Sequence, residues 1–160
     1  MPTKQVTKSR YQTRNDDKVF SEEERAAVAA TARERKSAAG RSPAQERGDG
    51  EADLRESLAK MPADDRAMGE RIHQIVTTAA PALVPKTYYG MPAYARAGKD
   101  GKVIAFYKPK SKFKVRYSTF GFQPDAALDD GKMWATEFAV IELTPGVQDQ
   151  IAELIKKAAG

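Results

Sequence analysis

Apolar positions recur with two different periods along this chain, and the change of period divides it into elements. In "EADLRESLAKM", Leu54, Leu58 and Met61 fall at i, i+4 and i+7, a helical stripe stopped by Pro62. Met68, Ile72, Ile75 and Ala79, with Val76 beside them, mark a second helix, and Asp64 and Asp65 sit in its first turn, where carboxylates favour the positive end. Pro81 and Pro85 close this helical region. The pattern then becomes that of strands. "KTYYGMPAYARA" is broken by Gly90 and Pro92, which predicts a bend or bulge between two short strands, and "GKDG" (98–101) predicts a hairpin turn. "KVIAFYK" (102–108) is apolar on both faces and reads as a central strand. Phe113, Val115 and Tyr117 alternate with Lys112, Lys114 and Arg116, predicting a strand with its apolar set inward and its bases in water.

"STFGFQPDAALDDGKMW" reads as a long connection, and "WATEFAVIEL" (134–143) as the last strand. The terminal helix starts at Thr144 as N-cap with Pro145 in its first turn. Val147, Ile151, Leu154 and Ile155 form its apolar stripe, and Lys156 and Lys157 lie at its negative end. Helix, strands, helix predicts an α+β fold: an antiparallel-dominated sheet with the N-terminal and C-terminal helices packed on one face.

Residues 1–50 read differently. Their large apolar residues are nearly limited to Tyr11, Val19, Phe20 and Val28, too few to offset the entropy of ordering. The expectation is a flexible charged leader containing a marginal helix at about 21–37, capped by Ser21 with Glu24 three residues on. "AAGRSPAQERGDGE" reads as a linker by its Gly, Pro and Ser, and the domain is expected to span 51–160.

Composition narrows the chemistry. The 160 residues contain no cysteine, which excludes disulfides, thiolate metal sites and cysteine nucleophiles. No apolar run approaches the ~20 residues that a membrane helix needs. "MPTKQVTKSRYQTRNDDK" lacks the apolar core of a secretory signal, so the expected location is cytoplasmic. The net charge of +5 is unevenly spread: residues 96–116 hold 8 bases and 1 acid, residues 117–160 hold 3 and 7.

Over "TYYGMPAYARAGKDGKVIAFYKPKSKFKVRYSTFGF" and "LDDGKMWATEFAVIELT" the chain resembles the YdhG-like domain family, bacterial proteins of unknown function described as iron-chaperone-like. The resemblance covers about residues 52–160 and is densest over 87–143. It implies a compact α+β domain of frataxin-like layout and a non-enzymatic role in iron handling or iron–sulfur assembly. It further implies partners among the proteins of those processes, and labile iron in place of a tightly bound cofactor.

An iron-carrier role of that kind asks for clustered carboxylates, because iron held for delivery is bound by oxygen donors. The candidates are Asp53 and Glu56, at i and i+3 on one helix face, then Asp64 and Asp65, and separately Asp129 and Asp130 with Asp125. Arg55, Lys60, Arg66 and Arg71 interleave with the first four, so they read equally as a solvated helix surface. "LDDGK" is also an ordinary turn. His73, the one histidine, lies one step from Ile72 on the helix and is expected to be a boundary residue between core and surface. No nucleophile signature or phosphate-cradling glycine loop marks an enzyme.

Two further features suggest binding. The "YYGMPAY" bend gathers Tyr88, Tyr89, Met91 and Tyr94 around Gly90 and Pro92, a candidate pocket rim for a small anionic or aromatic ligand near Lys112 and Lys114. In "YKPKSKFKVRY" (107–117) five bases, Lys108, Lys110, Lys112, Lys114 and Arg116, occur with no acid. They suit either the phosphates of a nucleic acid or the guarding of an exposed strand. The oligomeric state has no signature in the sequence.

Overall fold

The computed structural model describes residues 21–38, 42–98 and 101–160. The first twenty residues of the expected leader lie outside these, as do the two central residues of the expected 98–101 turn. Among the described residues, five helices and five strands follow in the order α1 (Glu22–Ala38), α2 (Pro43–Ala59), α3 (Ala63–Ala79), β1 (Val84–Tyr88), β2 (Met91–Ala95), β3 (Val103–Lys108), α4 (Lys110–Phe113), β4 (Ser118–Phe122), β5 (Glu137–Val140) and α5 (Pro145–Ala159). The strands form one antiparallel sheet in sequential order, β1 to β5. The α+β architecture is therefore as the hydrophobic periodicity implied.

The main core lies between the sheet and helices α2, α3 and α5. Leu54 and Leu58 of α2, Ile72 and Val76 of α3, and Ile151 and Ile155 of α5 pack on Tyr94, Ala105, Tyr107 and Phe120. A bulge widens this contact. Tyr94 pairs with Ala105 but Ala95 pairs with Val103, so Ile104 is the extra residue, and it joins the main core beside Ala105. The opposite sheet face carries a smaller cluster of Met91, Ala93 and Phe106, against which Tyr88, Tyr89 and Phe113 pack. Helix α1 borders this second cluster and buries Ala27 and Thr31.

Three expectations are corrected. From Pro43 onward the stretch expected to be a linker is the first half of α2. Ser42 accepts a hydrogen bond from the Gln45 amide (3.3 Å) while Gln45 Oε1 accepts from the Ser42 amide (3.0 Å), and Pro43 opens the helix. Ser and Pro thus start a helix here where they were taken to interrupt order. Gly50 belongs to the contact: a Cβ at this position would run into the Pro85 carbonyl oxygen, so its absence lets α2 lie directly on β1.

Second, residues 112–117 are not a strand. Lys110–Phe113 form one helical turn, Lys114 takes a left-handed conformation (φ 53°), and the Val115 amide closes back on the Lys110 carbonyl (3.1 Å). Val115 and Tyr117 are 46% and 37% exposed, the reverse of the inward placement expected for them, and only Phe113 turns partly inside. The strand comes instead at Ser118–Phe122, within the expected connection, with all five residues buried. The reason is a local anchor. Asp65 at the start of α3 accepts from the Ser111 amide (3.1 Å) and Lys110 Nζ (3.0 Å), while Ser118 Oγ accepts from the Lys110 amide (3.0 Å). These bonds wind the chain into a turn that alternation alone does not encode. Third, His73 is a buried residue and not a boundary one, as described below.

Candidate functional site

The winding of 110–114 brings the basic segment onto the bend between β1 and β2. That bend is a two-residue hairpin loop: Tyr88 pairs with Met91, and Tyr89 (φ 51°) and Gly90 (φ 74°) both have positive φ. This is the pattern of a type I′ turn, whose hand matches the strand twist but which favours Asn or Gly in its first position. Tyr89 and Lys114 are the two non-glycine residues with positive φ among the described residues, so a sterically costly conformation is held on each side of the same junction. Tyr89 is tied down from two directions. Its amide donates to Thr31 Oγ1 of α1 (2.8 Å), and its carbonyl accepts from Lys112 Nζ (2.6 Å). Gly90 leaves the space that the Lys112 ammonium occupies, since a Cβ there would collide with Nζ.

Beside this junction a cleft of about 660 Å³ opens between α1, α2, the start of α3 and the 109–112 turn. Asp53, Glu56, Ser57 and Lys60 line it from α2, Arg33 and Ala30 from α1, and Asp65, Ser111 and Lys112 from the far side. Three cations and three carboxylates thus share one depression. Ser57 Oγ donates to the Gly90 carbonyl (2.9 Å) and joins the cleft wall to the hairpin loop. Thr87 lies at the base, 9% exposed, and no hydrogen bond engages its side chain among the described residues. Since no fully buried side-chain oxygen there lacks a partner, the Thr87 hydroxyl opens onto the cleft.

Lys110 is the electrostatic hinge. Its ammonium bridges Asp64 (2.5 Å) and Asp65 (3.0 Å), and those two hydrogen bonds hold its pKa above the usual lysine range. The same contact lowers Asp64 below the ordinary carboxylate value. Lys114 and Glu23 (2.5 Å) perturb one another likewise, the lysine upward and the glutamate downward, tying α1 to the end of α4. Behind the cleft, the Tyr107 hydroxyl donates to the Asp65 carbonyl (2.9 Å), and burial pushes its pKa up to about 12.

The predicted site residues fall into separate groups. Lys112, Asp53, Glu56 and Asp65 line the cleft, and the Tyr89 carbonyl anchors Lys112. Tyr88 packs edge-on to Tyr89 (4.4 Å between centroids) and Met91 is buried, both on the second sheet face. Tyr94 points the other way, into the main core. Lys114 is committed to Glu23, Arg116 lies over the Tyr117 ring (5.2 Å) and Lys108 over the Phe113 ring (4.6 Å), so the five bases form no single row. Among the carboxylates, Glu56 pairs with Lys60 (3.0 Å), Asp64 and Asp65 with Lys110, and Asp129 and Asp130 are exposed on the loop before β5. No three His, Asp or Glu side chains converge as a metal-holding group among the described residues.

Sequence reasoning missed Arg33, Ser57, Lys60, Thr87 and Ser111 as cleft residues. Ser57 alone carried a signal, since it follows Asp53 by one helical turn. It also missed a buried chain in which His73 Nε2 meets Glu51 Oε1 (2.8 Å) and Nδ1 meets the Tyr94 hydroxyl (3.0 Å). Burial raises the Tyr94 pKa, with the Glu51 charge adding to the effect. This chain joins α2, α3 and β2 and fixes the α2 wall of the cleft. Comparison of the chain with protein-family models, curated proteins and solved structures finds no match. No helix among the described residues is long and apolar enough to cross a membrane.

Proposed function

We propose that this protein is a binding module whose cleft receives a small polar ligand carrying an anionic group. In this reading the anion meets Lys112 and Arg33, the Thr87 hydroxyl supplies a hydrogen bond, and Asp53 and Glu56 face a cationic or hydroxyl-bearing end. The observation that carries it is the junction itself: Lys112 is held on the Tyr89 carbonyl, in space left by Gly90, beside an accessible Thr87 hydroxyl. Strained backbone at Tyr89 and Lys114 supports it further, because such conformations persist where surrounding structure fixes them for a purpose. The ligand sign follows from position. Lys112 and Thr87 lie at the hairpin end of the cleft, and the α2 carboxylates lie on its side wall.

The test is an NMR titration of the full chain with a panel of amino acids, amino sugars and sugar phosphates. The reading predicts saturable shifts at Ser57, Thr87, Gly90 and Lys112 for at least one compound, lost in Lys112→Met and Thr87→Val. Silence of these signals toward the whole panel at 10-millimolar order, where even ~1 mM affinities register, overturns it.

The iron-handling role implied by the family resemblance stands as a second reading, because Asp53, Glu56 and Asp65 lie on the walls of this same cleft. Iron there would compete with Lys110 for Asp65 and with Lys60 for Glu56. Titration with ferrous iron under anaerobic conditions separates the readings: broadening confined to these three carboxylates supports iron, and undisturbed carboxylates up to millimolar metal reject it.

A further inference from the structure

Among the described residues strand β5 is hydrogen-bonded to β4 alone, and no strand lies beside its other edge. The register sets which groups that edge presents. The Phe122 amide donates to the Thr136 carbonyl (2.8 Å), one step beyond the Gly121–Glu137 pair. Antiparallel pairs alternate between bonded and non-bonded, so Thr136, Phe138 and Val140 bond to β4, while Glu137 and Ala139 aim their N–H and C=O groups outward and Ile141 follows at a bend. Those three residues are exposed, Ile141 at 72%, and Trp134 (40%) and Met133 (89%) precede them.

Edges of this kind are normally blunted by lysine, proline, a bulge or an inward charge. Ala135 to Leu143 contains no Lys, Arg, Pro or Gly. We propose that β5 pairs with β5 of a second copy of this chain about a two-fold axis at Ala139, continuing the two sheets into one.

The charges favour this occupant and this register. Centred on Ala139, the pairing sets Glu137 of one copy opposite Ile141 of the other, and Glu142 opposite Thr136. No two carboxylates face each other, whereas a centre on Glu137 would oppose them directly. On the other face of the strand the same register sets Phe138 against Val140, an aromatic and a β-branched side chain of the favoured cross-strand kind. Two alanines at the axis let the backbones meet without side-chain obstruction. The facing Ala139 residues exchange two backbone hydrogen bonds at the axis, and Glu137 on each side extends the seam toward the other copy's Ile141. A seam of one short strand buries less than the ~1,200 Å² of stable complexes, so the dimer is weak and reversible.

Sedimentation velocity on the full chain, from about 5 µM to about 1 mM, tests the proposal in the range where small interfaces associate. The expected mass rises with concentration from 17.6 kDa toward twice that value, and the emission of Trp134, the single tryptophan, moves to shorter wavelength in parallel. Ala139→Pro removes an outward amide that the monomer does not use, and Ile141→Lys changes a side chain that is already in water. Each is expected to weaken association about tenfold or more while leaving the melting temperature of the dilute protein in place. Should Ala139→Pro itself melt early, Ile141→Lys carries the comparison. A chain that stays monomeric at the highest concentration overturns the proposal, and so does a dimer that both variants leave intact.

Discussion

Replacing Gly90 by Ala strikes the junction on which the site rests. Two costs are expected, and they separate by experiment. The first is backbone: φ at this residue is 74°, and holding a residue with a Cβ in the left-handed region costs roughly 1–2 kcal/mol. The second is steric, because the new methyl group would overlap Lys112 Nζ, which must leave the Tyr89 carbonyl that it contacts at 2.6 Å. A hydrogen bond to a charged group is worth about 1.5–3 kcal/mol net, and this falls to about 1 kcal/mol for a half-buried, flexible lysine that finds water when displaced. Gly90→Ala is therefore expected to cost about 2–3 kcal/mol in total, and Lys112→Met, which leaves no ammonium to displace, about 1 kcal/mol. In the Lys112→Met background the glycine substitution should cost only its backbone share. The double mutant is then less destabilised than the sum of the singles by about 1 kcal/mol. Urea denaturation followed by circular dichroism measures all four proteins. Strict additivity would refute the contact between Lys112 and the hairpin loop, and a neutral Gly90→Ala would refute the turn itself.

Other consequences reach the elements behind the cleft. Gly50→Ala gains about 1 kcal/mol of helix propensity but drives a methyl group into the Pro85 carbonyl, which belongs to backbone and cannot rotate aside; thermal melting should show a net loss of about 1–3 kcal/mol. His73→Leu leaves the Tyr94 hydroxyl buried without its partner and should cost about 1–3 kcal/mol in urea, most of it recovered when Tyr94→Phe is added. Tyr107 governs alkaline behaviour. Its folded pKa of about 12 lies above its ordinary value of 10.0, so its contribution is complete below pH 10 and is lost between pH 10 and 12 as the unfolded chain ionises first. The loss amounts to about 2 kcal/mol, and Tyr107→Phe should flatten that part of the stability curve relative to the parent protein.

Much of the fold was legible because period and chemistry agreed. Met68, Ile72, Ile75 and Val76 mark α3, and Thr144, Pro145 and the Ile151–Ile155 stripe mark α5, each without help from distant residues. Strand β3 was legible because a strand buried on both faces is apolar throughout. The failures share a cause, which is that long-range contacts decided the local structure. Helix α2 extends back to Pro43 although its first half has no apolar stripe, because Gly50 rests on β1. Residues 110–117 alternate like a strand, yet Asp65, more than forty positions earlier, pins Lys110 and Ser111 into a turn. The cleft was half legible for the same reason. The Tyr-Gly-Met bend and Lys112 were both visible in sequence, and their meeting depends on that turn. Thr87 and Arg33 carried no pattern of their own.

The central claim is that the 110–113 turn delivers Lys112 onto the Tyr89–Gly90 hairpin loop. Backbone chemical shifts and nuclear Overhauser contacts of the labelled protein in solution address it in one measurement. The account predicts helical shifts for Lys110–Phe113, a left-handed Lys114, and cross-peaks between the Lys112 ε-methylene and the Gly90 α-protons. Extended shifts through 112–116, with Val115 shielded in the core and no contact from Lys112 to Gly90, would contradict it.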